Sequence, residues 1–185
     1  MGLLFDALRE DPNLKTLQVD LRSRAVALQK ANSVFEVLLV HPDDYLVTEG
    51  SRSNFLLVSP SNVLQCSLEK DILIGVTLKK AKVAAEKRGL GDVVHQRLTL
   101  KEVLEAKSIL MLGTSPGVLP VRRILLYKGD ADKQKFEHMV KRLALPDTLM
   151  KRIVKVSDVE AFIDYEVQND TVKNLIEGYT AEALA

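Results

Sequence analysis

Apolar positions recur along this chain at two different spacings, and the changes between them mark out its elements. Residues 1–13 hold neither spacing and end at the turn-prone Asp11-Pro12-Asn13, so they read as a short helical or loose leader. Asp20 then precedes a helical run with apolar positions Leu21, Ala25, Val26, Leu28 and Ala31. The run Phe35-Glu36-Val37-Leu38-Leu39-Val40 is rich in strand formers and is closed by the turn signal His41-Pro42-Asp43-Asp44. Residues 45–48 and 54–58 predict two more strands joined by a Gly50-Ser51-Arg52-Ser53 elbow, and 63–66 a return strand after Ser59-Pro60-Ser61-Asn62. From 76 to 88 the spacing is helical, through Val76, Leu78, Ala81, Val83 and Ala84, and it stops at Gly89 and Gly91. Residues 93–97 read as a strand. Residues 99–106 read as a short helix with a capping box, Thr99 at the N-cap and Glu102 three positions on. A strand over 108–112 runs into Gly113-Thr114-Ser115-Pro116-Gly117. After Tyr127 the break Lys128-Gly129-Asp130 leads to three stretches, 131–145, 146–155 and 157–184, that all read as helical. The pattern predicts an α/β protein with a leader (1–13), a mixed α/β body (14–127) and a helical C-terminal extension (128–185).

Composition narrows the class of partner. The 185 residues carry 26 Lys and Arg against 25 Asp and Glu, a formal charge of +1, with no electrostatic footprint for nucleic acid or a membrane surface. At 46% hydrophobic and 28% charged, the chain has the makeup of a folded globular protein rather than a disordered one. Cys66 is the single cysteine, so no intrachain disulfide can form, which suits a cytoplasmic location. Apolar runs such as 37–40 are far too short to span a bilayer. The start, MGLLFDALRE, reads as neither a signal peptide nor a myristoylation site, because Asp6 stands where the latter needs Ser or Thr. His41 and His95 lack metal-ligand spacing and there is no second cysteine, so no metal site is expected.

Four places could carry chemistry. Lys15, in the β-like run 14–17, is either a solvated surface lysine or an amine able to attack a carbonyl. Glu49, at a strand end before Gly50, is either an exposed carboxylate or a charge partner for a cofactor nitrogen. Gly75-Val76-Thr77 opens a helix whose free N–H groups can take water or a phosphate. Gly113-Thr114-Ser115 is a polar turn or a further set of donors.

Together and in this order, these residues resemble the class IV aminotransferases, pyridoxal-phosphate enzymes of fold type IV. That family includes branched-chain and D-amino-acid aminotransferases and aminodeoxychorismate lyase. The resemblance rests on LKTLQ at 14–18, VTEGSRSNFLLV at 47–58, ILIGVT at 72–77 and LGTSPGVLPV at 112–121, and covers roughly 14 to 125. It implies a mixed, partly barrel-like sheet with outer helices, like the large C-terminal domain of such enzymes. It implies pyridoxal 5'-phosphate as cofactor, amino acids and 2-oxo acids as substrates, and a homodimer. By the same resemblance Lys15 would hold the cofactor covalently and shuttle a proton. Glu49 would keep the pyridine nitrogen protonated. Gly75, Val76 and Thr77 would bind the phosphate, with Thr114 adding a donor from across the site. Ser53 and Asn54 would fix the elbow that aims Glu49.

The chain also departs from the family. Gln18 stands where Asn is usual, Val19 where branched-chain enzymes often carry Tyr, and Leu78 where Arg usually follows the G-[IV]-T motif. Family members carry an N-terminal domain before the lysine, with an H-x-x-R-L motif whose arginine grips the phosphate. The segment His138-Met139-Val140-Lys141-Arg142-Leu143 is superficially similar to that motif but one residue too long, and an amphipathic helix explains it. Three readings follow: an aminotransferase, which is here a fragment or a short form; a lyase-like relative; or a non-catalytic cofactor-domain remnant acting as a partner domain. The helical extension is expected to cover surface that the absent domain normally buries.

Overall fold

Strands that carry an unbroken apolar run of four residues must be covered on both faces, and three such strands set the layering here. The computed structural model describes residues 1–7 and 19–184. Strand β2 (Val37–Val40) turns Leu38 and Val40 toward one core and Val37 and Leu39 toward another. Strand β4 (Asn54–Val58) does the same with Phe55 and Leu57 against Leu56 and Val58. Strand β7 (Ser108–Gly113) repeats it with Ile109 and Met111 against Leu110 and Leu112. Alternate side chains of a strand point to opposite faces, so each apolar run serves two cores.

The first core lies between two stacked mixed sheets. One sheet has the order β10-β11-β9-β1-β2-β3, built from β10 (Val154–Ser157), β11 (Glu160–Asp164), β9 (Arg123–Lys128), β1 (Gly2–Leu4), β2 and β3 (Val47–Gly50). The other runs β6-β5-β4-β7-β8, with β6 (Val94–Gln96), β5 (Leu64–Ser67) and β8 (Gly117–Val121) flanking β4 and β7. Helix α1 (Val19–Asn32) covers the outer face of the six-stranded sheet through Leu21 and Ala25. On the outer face of the other sheet, α2 (Val76–Lys87) and α6 (Asp170–Leu184) pack side by side. The short α3 (Leu100–Glu105) closes the inter-sheet core with Leu100, Val103 and Leu104, and α4 (Asp130–Arg142) adds Phe136 and Met139 to it. The four-residue α5 (Asp147–Met150) buries Leu149 in the same core. No closed barrel forms among the described residues; the architecture is α/β with two open mixed sheets. No helix among them is long and apolar enough to cross a membrane.

Most elements fall where the pattern predicts them, including the capping box on α3, whose Thr99 side chain and Glu102 carboxylate are both engaged. Two readings need correcting. Gly2–Leu4, read as part of a leader, is an interior strand, parallel to β2 through Leu3↔Leu38 and to β9 at Gly2↔Leu125. Three residues are too few to show a period, and only the neighbouring strands supply the pairing. Residues 157–184 are not one helix, since β10 and β11 form a hairpin and β11 pairs antiparallel with β9 along Arg123–Lys128. The alternation Glu160-Ala161-Phe162-Ile163-Asp164 buries Ala161 and Ile163, but it is brief and stands next to the stronger helical period of α6. Residues 117–128, to which the pattern assigns no element, form β8 and β9.

Candidate functional site

Four chain segments meet at one end of the two sheets. Strand β3 delivers Glu49 and Gly50 there, and the elbow 50–53 turns the chain into β4, which starts at Asn54. The elbow closes on itself through the Gly50 N–H, which donates to the Ser53 carbonyl at 2.7 Å. A Cβ at Gly50 would overlap Ser53 Oγ, so the tight approach requires glycine.

Glu49 is 3% exposed. Its Oε2 accepts from the Leu73 N–H at 3.1 Å and from Asn54 Nδ2 at 3.3 Å. The same Asn54 amide donates to the Leu73 carbonyl at 2.8 Å, and its Oδ1 accepts from the Gly75 N–H at 3.1 Å. One buried amide therefore ties the carboxylate to the loop that opens α2. A Cβ on Gly75 would stand 2.8 Å from Asn54 Oδ1, so the loop comes this close only with glycine there.

Gly75 is the N-cap of α2 and supplies no side-chain cap. The first amides of the helix, at Val76 and Thr77, lie among the N–H groups that a helix leaves without intrahelical partners, at the end carrying about half a positive charge. Val76 is 67% exposed and Thr77 is buried, so this end of the helix faces outward at its first residue and is anchored at its second. Such an end receives an anion or phosphate without further machinery.

Thr114 lies in the exposed turn between β7 and β8. The turn approaches the elbow, because a Cβ on Gly113 would stand 3.9 Å from Ser53 Cβ. Lys15 and Gln18 lie outside the described residues. Among the expected site residues, the structure thus links Glu49 to Gly75 and the start of α2 through Asn54. It sets Thr114 in a turn beside the same elbow.

One residue at this end has no counterpart in the sequence reading. Glu36, 3% exposed at the entry to β2, accepts hydrogen bonds from the elbow itself. A charged residue heading an apolar strand was the only available signal, and its partners in the elbow lie fifteen to seventeen positions away.

Other candidates lie elsewhere. Cys66 is buried in β5, and burial pushes its thiol up to about 12, leaving it protonated and inert at neutral pH. His138 and Arg142 belong to α4, where His138 Nδ1 meets the Tyr45 hydroxyl at 2.8 Å and Arg142 lies over the Tyr45 ring. Tyr45 precedes β3 at the end of that strand remote from Glu49, so the amphipathic-helix reading of 138–143 holds. Two surface clefts, of about 470 and 240 Å³, are lined by groups such as Arg152 and Tyr165 and by Tyr45 and His138, away from Glu49.

Stacked mixed sheets, with a buried carboxylate tied to an uncapped helix start, define an α/β protein whose candidate site sets a carboxylate beside helix-end amides. Residues 3–124, about two thirds of the chain, match the amino-transferase class IV family, and the chain belongs to that family. It is 29% identical over 119 residues to a D-alanine aminotransferase of Bacillus licheniformis, covering 60% of this chain and 41% of that protein. It is 37% identical over 79 residues to a probable branched-chain-amino-acid aminotransferase of Thermotoga maritima, covering 42% of this chain and 28% of that one. A solved putative 4-amino-4-deoxychorismate lyase of Legionella pneumophila shares the fold, with a TM-score of 0.65 at 17% identity over 98% of this chain and 55% of the other. The chain thus spans less than half the length of the two curated relatives it matches.

Proposed function

We propose that this chain carries the cofactor-binding part of a pyridoxal-phosphate-dependent aminotransferase, acting on an amino acid and a 2-oxo acid. The observation that carries the reading is the three-way junction of Glu49, Asn54 and the Gly75 N–H at the open end of α2. The donor set fits the cofactor, with a buried carboxylate for a ring N–H⁺ and helix-end amides for a phosphate. When bound, pyridoxal phosphate supplies the electron sink through which an amino group passes between the two acids.

Each residue then has a bounded task. Glu49 holds a proton at the ring nitrogen, and Asn54 and the Leu73 N–H keep its carboxylate pointed. The Val76 and Thr77 amides, with the Thr77 hydroxyl, bind phosphate, and Thr114 adds a donor from the neighbouring turn. Lys15 anchors the cofactor through Nζ and moves a proton during turnover. The same reading makes the working protein a cytoplasmic homodimer.

Incubation with pyridoxal phosphate, borohydride reduction and peptide mapping test the assignment. A stable label on Lys15 is the expected result. An unlabelled chain, or label scattered over surface lysines, overturns it.

A further inference from the structure

We propose that Glu36 is the positioning residue of this site, the clamp that holds the 50–53 elbow and so fixes where Glu49 and Asn54 point. This rests on the cofactor reading above for its functional consequence but on geometry alone for the clamp.

Five donors converge on the Glu36 carboxylate from three elements. Oε1 accepts from Gln29 Nε2 of α1 at 3.1 Å, from the Val37 N–H at 2.8 Å and from Ser51 Oγ at 2.5 Å. Oε2 accepts from the Arg52 N–H at 3.2 Å and from Ser53 Oγ at 3.1 Å. Three of the five come from consecutive residues of the elbow, between Glu49–Gly50 on one side and Asn54 on the other. A carboxylate only accepts, so it satisfies all five at once, and that set of donors is what makes its burial tolerable.

The elbow does not need Glu36 merely to turn, since the Gly50–Ser53 backbone bond already closes it. What the carboxylate adds is a fixed point. It draws two hydroxyls and an amide of the elbow to the head of β2, where the Ser51 N–H also donates to the Val37 carbonyl at 3.0 Å. Without that point the elbow keeps its turn but can rock against the sheet, carrying Glu49 and Asn54 with it. Errors of about 1 Å at a reacting centre cost about a hundredfold in rate, and a first layer of site residues depends on such support.

Glu36→Gln, made in this whole chain, is the sharpest test. Val37 and Arg52 donate to different oxygens, so whichever way the glutamine amide turns, one of these backbone donors meets an NH2 group. Amide exchange is expected to accelerate about tenfold at Val37 or Arg52 in the variant, while Leu56 and Leu110 in the core stay protected. Pyridoxal phosphate, titrated by its visible absorbance, is expected to bind about tenfold more weakly, with a shifted pH midpoint of the absorbance band. Ser53→Ala, which removes one donor, is expected to show the same changes to a smaller degree, and it provides the comparison if Glu36→Gln fails to fold.

Unchanged exchange at both amides, or unchanged affinity and spectrum despite faster exchange, overturns the proposal. If the unsubstituted chain takes up no cofactor, the functional reading fails, and the exchange result alone then upholds or overturns the clamp.

Discussion

A single side-chain amide, that of Asn54, contacts the Glu49 carboxylate, the Leu73 carbonyl and the Gly75 N–H. Asn54→Asp would replace the NH2 donor by a second carboxylate facing Glu49, leaving the Leu73 carbonyl without this donor. Cofactor affinity is expected to fall about tenfold or more on absorbance titration, with Asn54→Ala less damaging because it adds no like charge. Cys66 makes a prediction of the opposite kind, about chemistry withheld. Its thiol is held up at about 12 against an ordinary 9.0, chiefly by burial, and Tyr165 is also raised by burial, so both favour the neutral form when folded. A group raised on folding contributes stability below its unfolded value and loses it as pH climbs toward the folded one. The thermal midpoint is therefore expected to be level with respect to these groups below about pH 8 and to decline above about 9, with a shallower decline in Cys66→Ala. Iodoacetamide at pH 8 should leave the native thiol unmodified.

Among the elements, α3 and the α2–α6 pair show two sources of stability. The α3 capping box is local, with Thr99 accepting from the Lys101 N–H and Glu102 accepting from the Thr99 N–H and hydroxyl. Thr99→Ala is expected to cost about 1 kcal/mol in denaturant unfolding. The double change with Glu102→Ala should cost less than the two single changes added together, because they share the same bonds. The packing of α6 on α2 is tertiary. A Cβ on Gly178 would stand 2.8 Å from Arg88 Cγ and 3.3 Å from Ala84 Cβ, so α6 meets α2 at a position where it carries no side chain. Gly178→Leu is expected to force them apart at a cost of about 1–3 kcal/mol, read as a lowered unfolding midpoint.

Over the whole molecule, the C-terminal segment is part of the fold rather than an appendage to it. Strand β11 pairs with β9, and Val172 and Leu175 of α6 are buried against the sheet and α2. A chain stopped after Lys128 would expose the β9 edge and the α2 face together. It is expected to lose cooperative thermal unfolding or to aggregate, and an unchanged midpoint with full solubility would contradict this.

The candidate site residues were legible one by one. Glu49, Gly75, Val76, Thr77 and Thr114 stand in motifs that a linear reading finds, and so does the Thr99–Glu102 cap. Strands such as 54–58 and 108–112 were legible too, because their continuous apolar runs have to be covered on both faces. Gly2–Leu4 and the hairpin over 154–164 were not. A three-residue strand and a brief alternation take their identity from the neighbours that pair with them. Glu36 was hidden for the same reason, since four of its five donors come from helix α1 and from the elbow beyond β2 and β3 in the chain.

By itself, then, the sequence determined the type of most elements, the family and the residues of the candidate site, because periodicity, caps and motifs are written over short separations. Tertiary structure alone decided the strand order, the two-sheet layering, the hold of Glu36 on the elbow and the junction of Glu49, Asn54 and the α2 start. Those depend on hydrogen bonds between segments far apart in the chain, where no local pattern records the partner.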